Sequence, residues 1–429
     1  MGYTFSEKLL AKKCGRSHVK PGEIVTVHPD VLLTDEAAAE VIRLMAEIGV
    51  EKPVDPEKIC IILDHCSPAA TAIQAENHLL VRKFVKKHAI RRFYEVGEGI
   101  CHQVLAEDGI IVPGTLLVGS DSHTITNGAL GAFSIGISRT EMAGLYITGE
   151  IWLQVPASIQ IRLHGKLRKH VQGKDVALKI LQDLGENGAL YMCVEFTGSG
   201  ITTLNMDDRR AISNMMSEAG AKTAFFPPDA VTRKWLQYKP NEMIADPIIP
   251  DENARYFGKY EYDMGKIDSL IAHPHSPANV SSIPNNSDIR IDQALIGTCT
   301  GGRYDDLATA ARILKGRHID SGVRLLISPV SRKVFMKALQ SGVVDALVQA
   351  GAVFLPPGCG PCAGVHQGVL GSGEVCVSAG ARNYQGRMGS NQAEIYLASP
   401  ATVAASALEG RICNPMDYID DRGSNDNRD

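Results

Sequence analysis

Short apolar runs punctuate the chain, and several are followed at once by polar residues able to do chemistry. Residues 23–27 (EIVTV) predict a strand. A helix is expected from Thr34, whose hydroxyl can cap it, with Asp35 and Glu36 in the first turn where the helix dipole favours acids. Val41, Ile42, Met45 and Ile48 give that helix an apolar stripe. ICIIL (59–63) predicts a buried strand leading into Asp64 and His65, and LLVG (116–119) one leading into Asp121, Ser122 and His123. Further on, QALIG (293–297) precedes Cys299, and VRLLIS (323–328) leads into a helix over 331–339. A helix over 344–350 then turns into AVFL (352–355) and PPGCGPC. Strands alternating with helices predict a largely parallel α/β architecture, with no repeat of fixed period.

The pattern also suggests where function lies. In open α/β sheets, ligands bind beyond the C-terminal ends of the strands. Asp64/His65, Asp121/Ser122/His123, Cys299 and Cys359/Cys362 each follow an apolar run, which suggests one shared cleft. Residues 274–290 (PHSPANVSSIPNNSDIR) have the Pro, Ser and Asn content of a linker, and they set the three cysteines on a C-terminal part. The final DRGSNDNRD predicts a solvated tail over 421–429.

Composition narrows the classes. The 429 residues have room for two or three domains, and 44% hydrophobic with 21% charged residues is ordinary for a globular protein. A net charge of −4 argues against a protein that binds nucleic acid by neutralising phosphates. The N-terminal residues lack the apolar core of a secretory signal, and no segment has the ~20 apolar residues of a membrane span, so a cytoplasmic protein is expected.

Ten cysteines in a reducing compartment should be thiols, ligands or catalytic groups. Cys60 and Cys376 lie inside strand-like runs and read as small buried hydrophobes. Cys359 and Cys362 form a C-x-x-C, which by itself fits a redox dithiol, half a zinc site or part of an iron–sulfur site. No second C-x-x-C completes a four-cysteine zinc site, and Cys299 in IGTCTGGR is the natural third thiol. Three thiolates on a [4Fe–4S] cube would leave one iron open to act as a Lewis acid, whereas an electron-transfer cluster is normally closed by four.

DHCSP (64–68), GICHQV (99–104), VGSDSHTITNGALGAFSIG (118–136), GTCTGGR (297–303), PPGCGPCAG (356–364) and ARNYQGRMGS (381–390) together resemble the aconitase-family hydro-lyases. The order and spacing are the family's, over nearly the whole chain. The branch is the one with separate large subunits, acting on 3-isopropylmalate, homoaconitate or 2,3-dimethylmalate. The resemblance implies three α/β/α-type domains (1–127, 128–280 and 281–420) around a cleft holding one [4Fe–4S] cluster, without the family's swivelling fourth domain. Cys299, Cys359 and Cys362 match its ligands. Asp64 and His65 match the pair whose histidine protonates the leaving hydroxyl. His102 with Asp121, then Ser122, His123 and Glu218, match further catalytic positions, and Asn214, Arg382 and Arg387 match substrate-binding ones. An arginine fork suits a carboxylate.

Taken singly, each of these residues has a plainer reading: a helix cap, a structural histidine or a solvated basic turn. His18, His88 and His318 have only that reading. The branch has Asn where this chain has Gly301 and Ala381, and His where it has Asn127. Only 42 residues follow Arg387, too few for the swivelling domain with its proton-abstracting serine. A separate small subunit is therefore expected to bring it. The expected reaction removes and re-adds water on a malate-type acid, 3-isopropylmalate first. The alternatives are the two sister substrates, an RNA-binding regulator acting without its cluster, or a protein that keeps the fold without activity.

Overall fold

The computed structural model describes residues 2–237, 247–283 and 287–419. The expected tail (421–429) lies outside the described residues, as do positions 284–286 of the expected linker.

Runs rich in β-branched residues form the strands because both faces of each sheet are covered. All four residues of Ile59–Ile62 are buried. The first sheet has five parallel strands in the order Arg92–Tyr94, Ile59–Ile62, Val31–Thr34, Leu116–Gly119, Phe133–Gly136. The chain steps outward from Val31–Thr34 in one direction, then returns to lay Leu116–Gly119 on its other side. Loops leaving two such neighbours diverge and open a crevice at their C-terminal ends. Asp35 and Asp121 follow these two strands, and Asp64 follows the adjacent one.

The second sheet, also parallel, runs Thr223–Phe225, Cys193–Thr197, Ser158–His164, Gly258–Asp263. Its helix Met206–Met215 packs on the 3-10 turn Ser122–Leu130 that follows the first sheet's central strands. The third sheet has seven strands, of which five are parallel: Glu394–Ala398, Val375–Ser378, Gln293–Gly297, Arg324–Ser328 and Val353–Phe354. Its order reverses between Gln293–Gly297 and Val375–Ser378, the strands that lead to Cys299 and Arg382. Two crevices of the same kind are thus available, one lined by acids and histidines and the other by thiols and arginine.

Two expectations change. Thr34 ends a strand instead of capping a helix, and its hydroxyl lies 3.0 Å from the Tyr146 hydroxyl. The helix begins at Ala38, because Asp35 accepts from the Ala37 amide at 2.6 Å while Glu36 turns away to the His65 and Cys66 amides. Within the expected linker, Val280–Ser282 is a strand, paired antiparallel to Leu270–Ala272. The helices expected after Ser331 and Val343 are present as Arg332–Gln340 and Val343–Gln349.

Glu195, fully buried in the second sheet, accepts from Ser158 Oγ at 2.7 Å, Phe5 N at 3.1 Å and Tyr256 Oη at 3.1 Å. Burial nonetheless raises its carboxyl to about 7. A raised carboxyl favours folding while protonated, and that stability is lost as pH rises from the ordinary carboxylate range through 7. Glu195→Gln should therefore melt higher than the native chain at pH 8 and nearly alike at pH 4.5, by about 3 kcal/mol at most. A thermal-melt series over that range measures the difference.

Candidate active site

His65 stands directly after Ile59–Ile62 and Leu63, held among carboxylates. Its Nδ1 lies 2.8 Å from Asp64 Oδ1, 3.5 Å from Asp35 and 3.8 Å from Glu36, and its Nε2 lies 3.6 Å from Asp121 Oδ2. Asp64 is fully buried and takes the Cys101 amide on its other oxygen at 2.7 Å, which fixes its orientation. Asp121 is a second hub, accepting from His102 Nε2 at 2.8 Å and from the His123 amide at 2.7 Å. His123 Nε2 reaches Glu218 at 3.0 Å. Glu218 also accepts from Arg382 Nε at 2.8 Å and Ser217 Oγ at 2.9 Å, and Arg382 Nη2 donates to Ser122 Oγ at 2.9 Å.

This chain of bonds joins all three sheets, and the thiols adjoin it. Cys359 N donates to the Asp64 carbonyl at 2.9 Å, and Arg387 Nε donates to the Cys362 carbonyl at 2.9 Å. Cys299, Cys359 and Cys362 are buried, free and close enough for each charge to raise the Cys299 thiol, already pushed up by burial. Thr298, before Cys299, has φ of 65°, a region β-branched residues rarely enter and one that costs about 1–3 kcal/mol. Asn214 is buried but bonds Thr126 Oγ1 at 2.7 Å, not another of the expected site residues.

The charges follow from these neighbours. Burial alone would pull the His65 imidazole down, but Cys359, Asp64 and Asp121 outweigh it and hold it well above its ordinary value. Burial would raise Asp121, yet the His102 hydrogen bond and the nearby His65 ring keep it well below the carboxylate range. Glu218 is held at about 2, burial being overcome by His123 and Arg382. Burial, with Arg382 nearby, pushes His123 below its usual value. Burial and the surrounding carboxylates push Asp35 up despite His65.

The residues around the thiols suit an anionic group. Arg303 donates to the Cys299 carbonyl and Arg210 to the His102 carbonyl, and both guanidinium groups are buried. Nε and Nη1 of each have no acceptor among the described residues. Burial and Arg303 push Arg210 down to about 9. Buried cations are costly without compensating charge. Asp207 and Glu107 supply part of it at Arg210 and Asp306 part at Arg303; three thiolates carrying an iron–sulfur group would add to it, so the donor set fits such a group.

Sequence patterning missed Asp35, Glu36, Arg210 and Arg303. The first two carried the same signal as Asp64, an apolar run (VLLT) ending in acids, but the helix reading of Thr34 hid it. The departures are spatially distinct. A Cβ on Gly301 would stand 2.3 Å from Ala379 Cβ, so a side chain there needs Ala379 to move. Ala381 is buried in an apolar cluster, and Asn127 is fully buried with both amide atoms lacking partners among the described residues.

The chain matches the family described as "Aconitase family (aconitate hydratase)" over residues 12–288 and 283–410. It is 43% identical to the 3-isopropylmalate dehydratase large subunit 1 of Methanopyrus kandleri, over 98% of this chain and 100% of that one. It is 42% identical to the 3-isopropylmalate dehydratase large subunit of Aquifex aeolicus, over 98% of each. Aconitase X of Thermococcus kodakaraensis shares the fold at a TM-score of 0.50 and 13% identity, covering 83% of this chain and 84% of that one. No described helix is long and apolar enough to cross a membrane. With sequence agreement along nearly its whole length, over a cleft that gathers thiols, histidines and arginines, this chain belongs to the aconitase family.

Proposed function

We propose that the protein is the cluster-holding large subunit of 3-isopropylmalate dehydratase and works with a separate small subunit. The observation that carries this reading is the contact of the Asp64–His65 acid pair with the buried thiol site, through the Cys359 amide and the Asp64 carbonyl. Relatives named as large subunits of that enzyme, matched end to end, favour it over the sister substrates and over RNA binding.

Cys299, Cys359 and Cys362 would hold one [4Fe–4S] cluster. When bound, it supplies a Lewis-acidic iron for hydroxyl and carboxylate oxygens. Asp64 orients His65 through Nδ1, which leaves the Nε2 proton to go to the departing hydroxyl. His102 and His123 hold Asp121 as a carboxylate in the cleft, and Glu218 fixes Arg382 through Nε. Arg382 and Arg387 bind the substrate carboxylates. The serine that takes the proton beside the carboxylate comes from the small subunit, as does much of the pocket for the isopropyl group. Ten free thiols fit a reducing cytoplasm.

Anaerobic co-purification with the small subunit tests this. The complex should be brown, hold about four iron atoms per large subunit and dehydrate 3-isopropylmalate, losing colour and turnover together in air. A zinc-loaded, colourless protein that refuses iron would sink the cluster. An iron-loaded complex that turns over 2,3-dimethylmalate but not 3-isopropylmalate would sink the substrate.

A further inference from the structure

Lys174 is 1% exposed, in the first turn of helix Gly173–Leu184. That is a poor place for a cation. Burial strips its water, and the helix N-terminus adds partial positive charge. Its Nζ donates to the Gly380 carbonyl and approaches Met215 Sδ at 3.5 Å; neither partner is a carboxylate. Burial pushes the amine down to about 8, and the groups that hold it up are first Cys299 and Cys362, then Glu218.

The segment it grips matters to the site. Gly380 follows Val375–Ser378 at the reversal of the third sheet's strand order, two residues before Arg382. Thr300 Oγ1 holds the Ala379 carbonyl at 2.6 Å and Ser378 Oγ the Gly380 amide at 3.0 Å, so Lys174 completes the set of anchors on this turn. The turn is close to the thiols, since a Cβ on Gly380 would stand 3.3 Å from Cys362 Sγ. Neighbours of Lys174 tie the same helix end to the third sheet. Gln172 accepts from the Ala401 amide and Asp175 from the Leu270 amide, each at 3.0 Å.

We propose that Lys174 is a positioning residue with two linked effects. Its charge balances the thiolates of Cys299 and Cys362 when they carry the iron–sulfur group, and its bond to the Gly380 carbonyl fixes the turn that presents Arg382. The inference rests on the proposed function above and deepens it. Met can replace the side chain at nearly equal length without charge or donor, whereas Arg keeps both.

The test uses the full chain with its small subunit, comparing native, K174M and K174R for iron per chain, bleaching rate in air, and KM and kcat per loaded cluster. K174M should bleach about ten-fold faster or more, the range seen when groups behind metal ligands are lost. Its KM should rise more than its kcat falls, and K174R should recover part of both. A residue with only a packing role would lower the melting temperature and leave bleaching rate and KM per cluster native, which would overturn the proposal. If K174M does not fold, K174Q, neutral but polar, takes the same readings with the same criteria. A native chain that takes up no iron removes the function reading and this inference together. A native chain that loads while K174M matches it sinks this inference alone.

Discussion

Cys299→Ser should leave the complex colourless, with iron falling from about four per chain to background and dehydration of 3-isopropylmalate lost with it. The argument is chemical and geometric. A serine hydroxyl is a hard, reluctantly ionised donor where iron–sulfur chemistry calls for a soft thiolate. Nor can a neighbour move in to replace the thiol. Cys299 sits in the four-residue helix Thr298–Gly301, behind a strained Thr298, with its carbonyl held by Arg303. Gly297 and Gly302 press so closely on Ser328 that a Cβ on either would stand 2.6 Å from the Ser328 carbonyl oxygen, so the turn cannot slide. Cys376→Ser is the matched control. That thiol lies within strand Val375–Ser378, and its loss should cost only stability, about 1–3 kcal/mol, with iron unchanged. Iron analysis and visible absorbance of both variants decide the matter. A C299S chain with a full iron load would sink the ligand assignment.

The sequence made the strand ends legible because a parallel sheet buried on both faces writes itself as an apolar run, and the first polar residue after it marks the edge. ICIIL and QALIG therefore led to Asp64 and Cys299. The same rule failed at VLLT for a physical reason. Thr, Asp and Glu in succession also make a good helix start, and it is the His65 and Cys66 amides, 29 and 30 residues away, with His78 beside them, that pull Glu36 out of that role. Burial of cations was harder still. Lys174 lies in GKDVALKIL, where nothing local marks a lysine as buried. Its burial depends on Gly380 and Met215, residues distant in sequence and brought close only by sheet packing. Arg303 lies within GTCTGGR, but nothing local shows that two of its nitrogens face no acceptor among the described residues. Side chains at strand ends are legible from local pattern, whereas charges supported by segments distant in sequence are not.

His65→Asn should keep its iron and still lose kcat by about 10²–10⁴-fold, the usual worth of a positioned acid or base. This separates the acid from the ligands, since C299S loses both iron and turnover. Asp64→Asn probes the same pair from behind. The Cys101 amide donates to Asp64 Oδ2, so an amide at this position should turn its oxygen toward Cys101 and its NH₂ toward His65 Nδ1. Nδ1 must then accept, which disfavours the charged imidazolium that the native carboxylate supports. Native His65 is held above its ordinary value, with burial opposed by Cys359, Asp64 and Asp121. Removing the Asp64 charge lowers it. Dehydration needs the protonated ring, so activity falls as pH rises through that value, and the fall should come at lower pH in D64N. The variant should lose more of its dehydration rate at pH 8.5 than at pH 6, with iron content native at both. The hydration direction, which needs the ring as base, should show the opposite skew. Matched pH profiles of kcat in the two directions measure it. A D64N profile that keeps the native shape, or an H65N enzyme with native kcat and full iron, would remove the acid role from this pair.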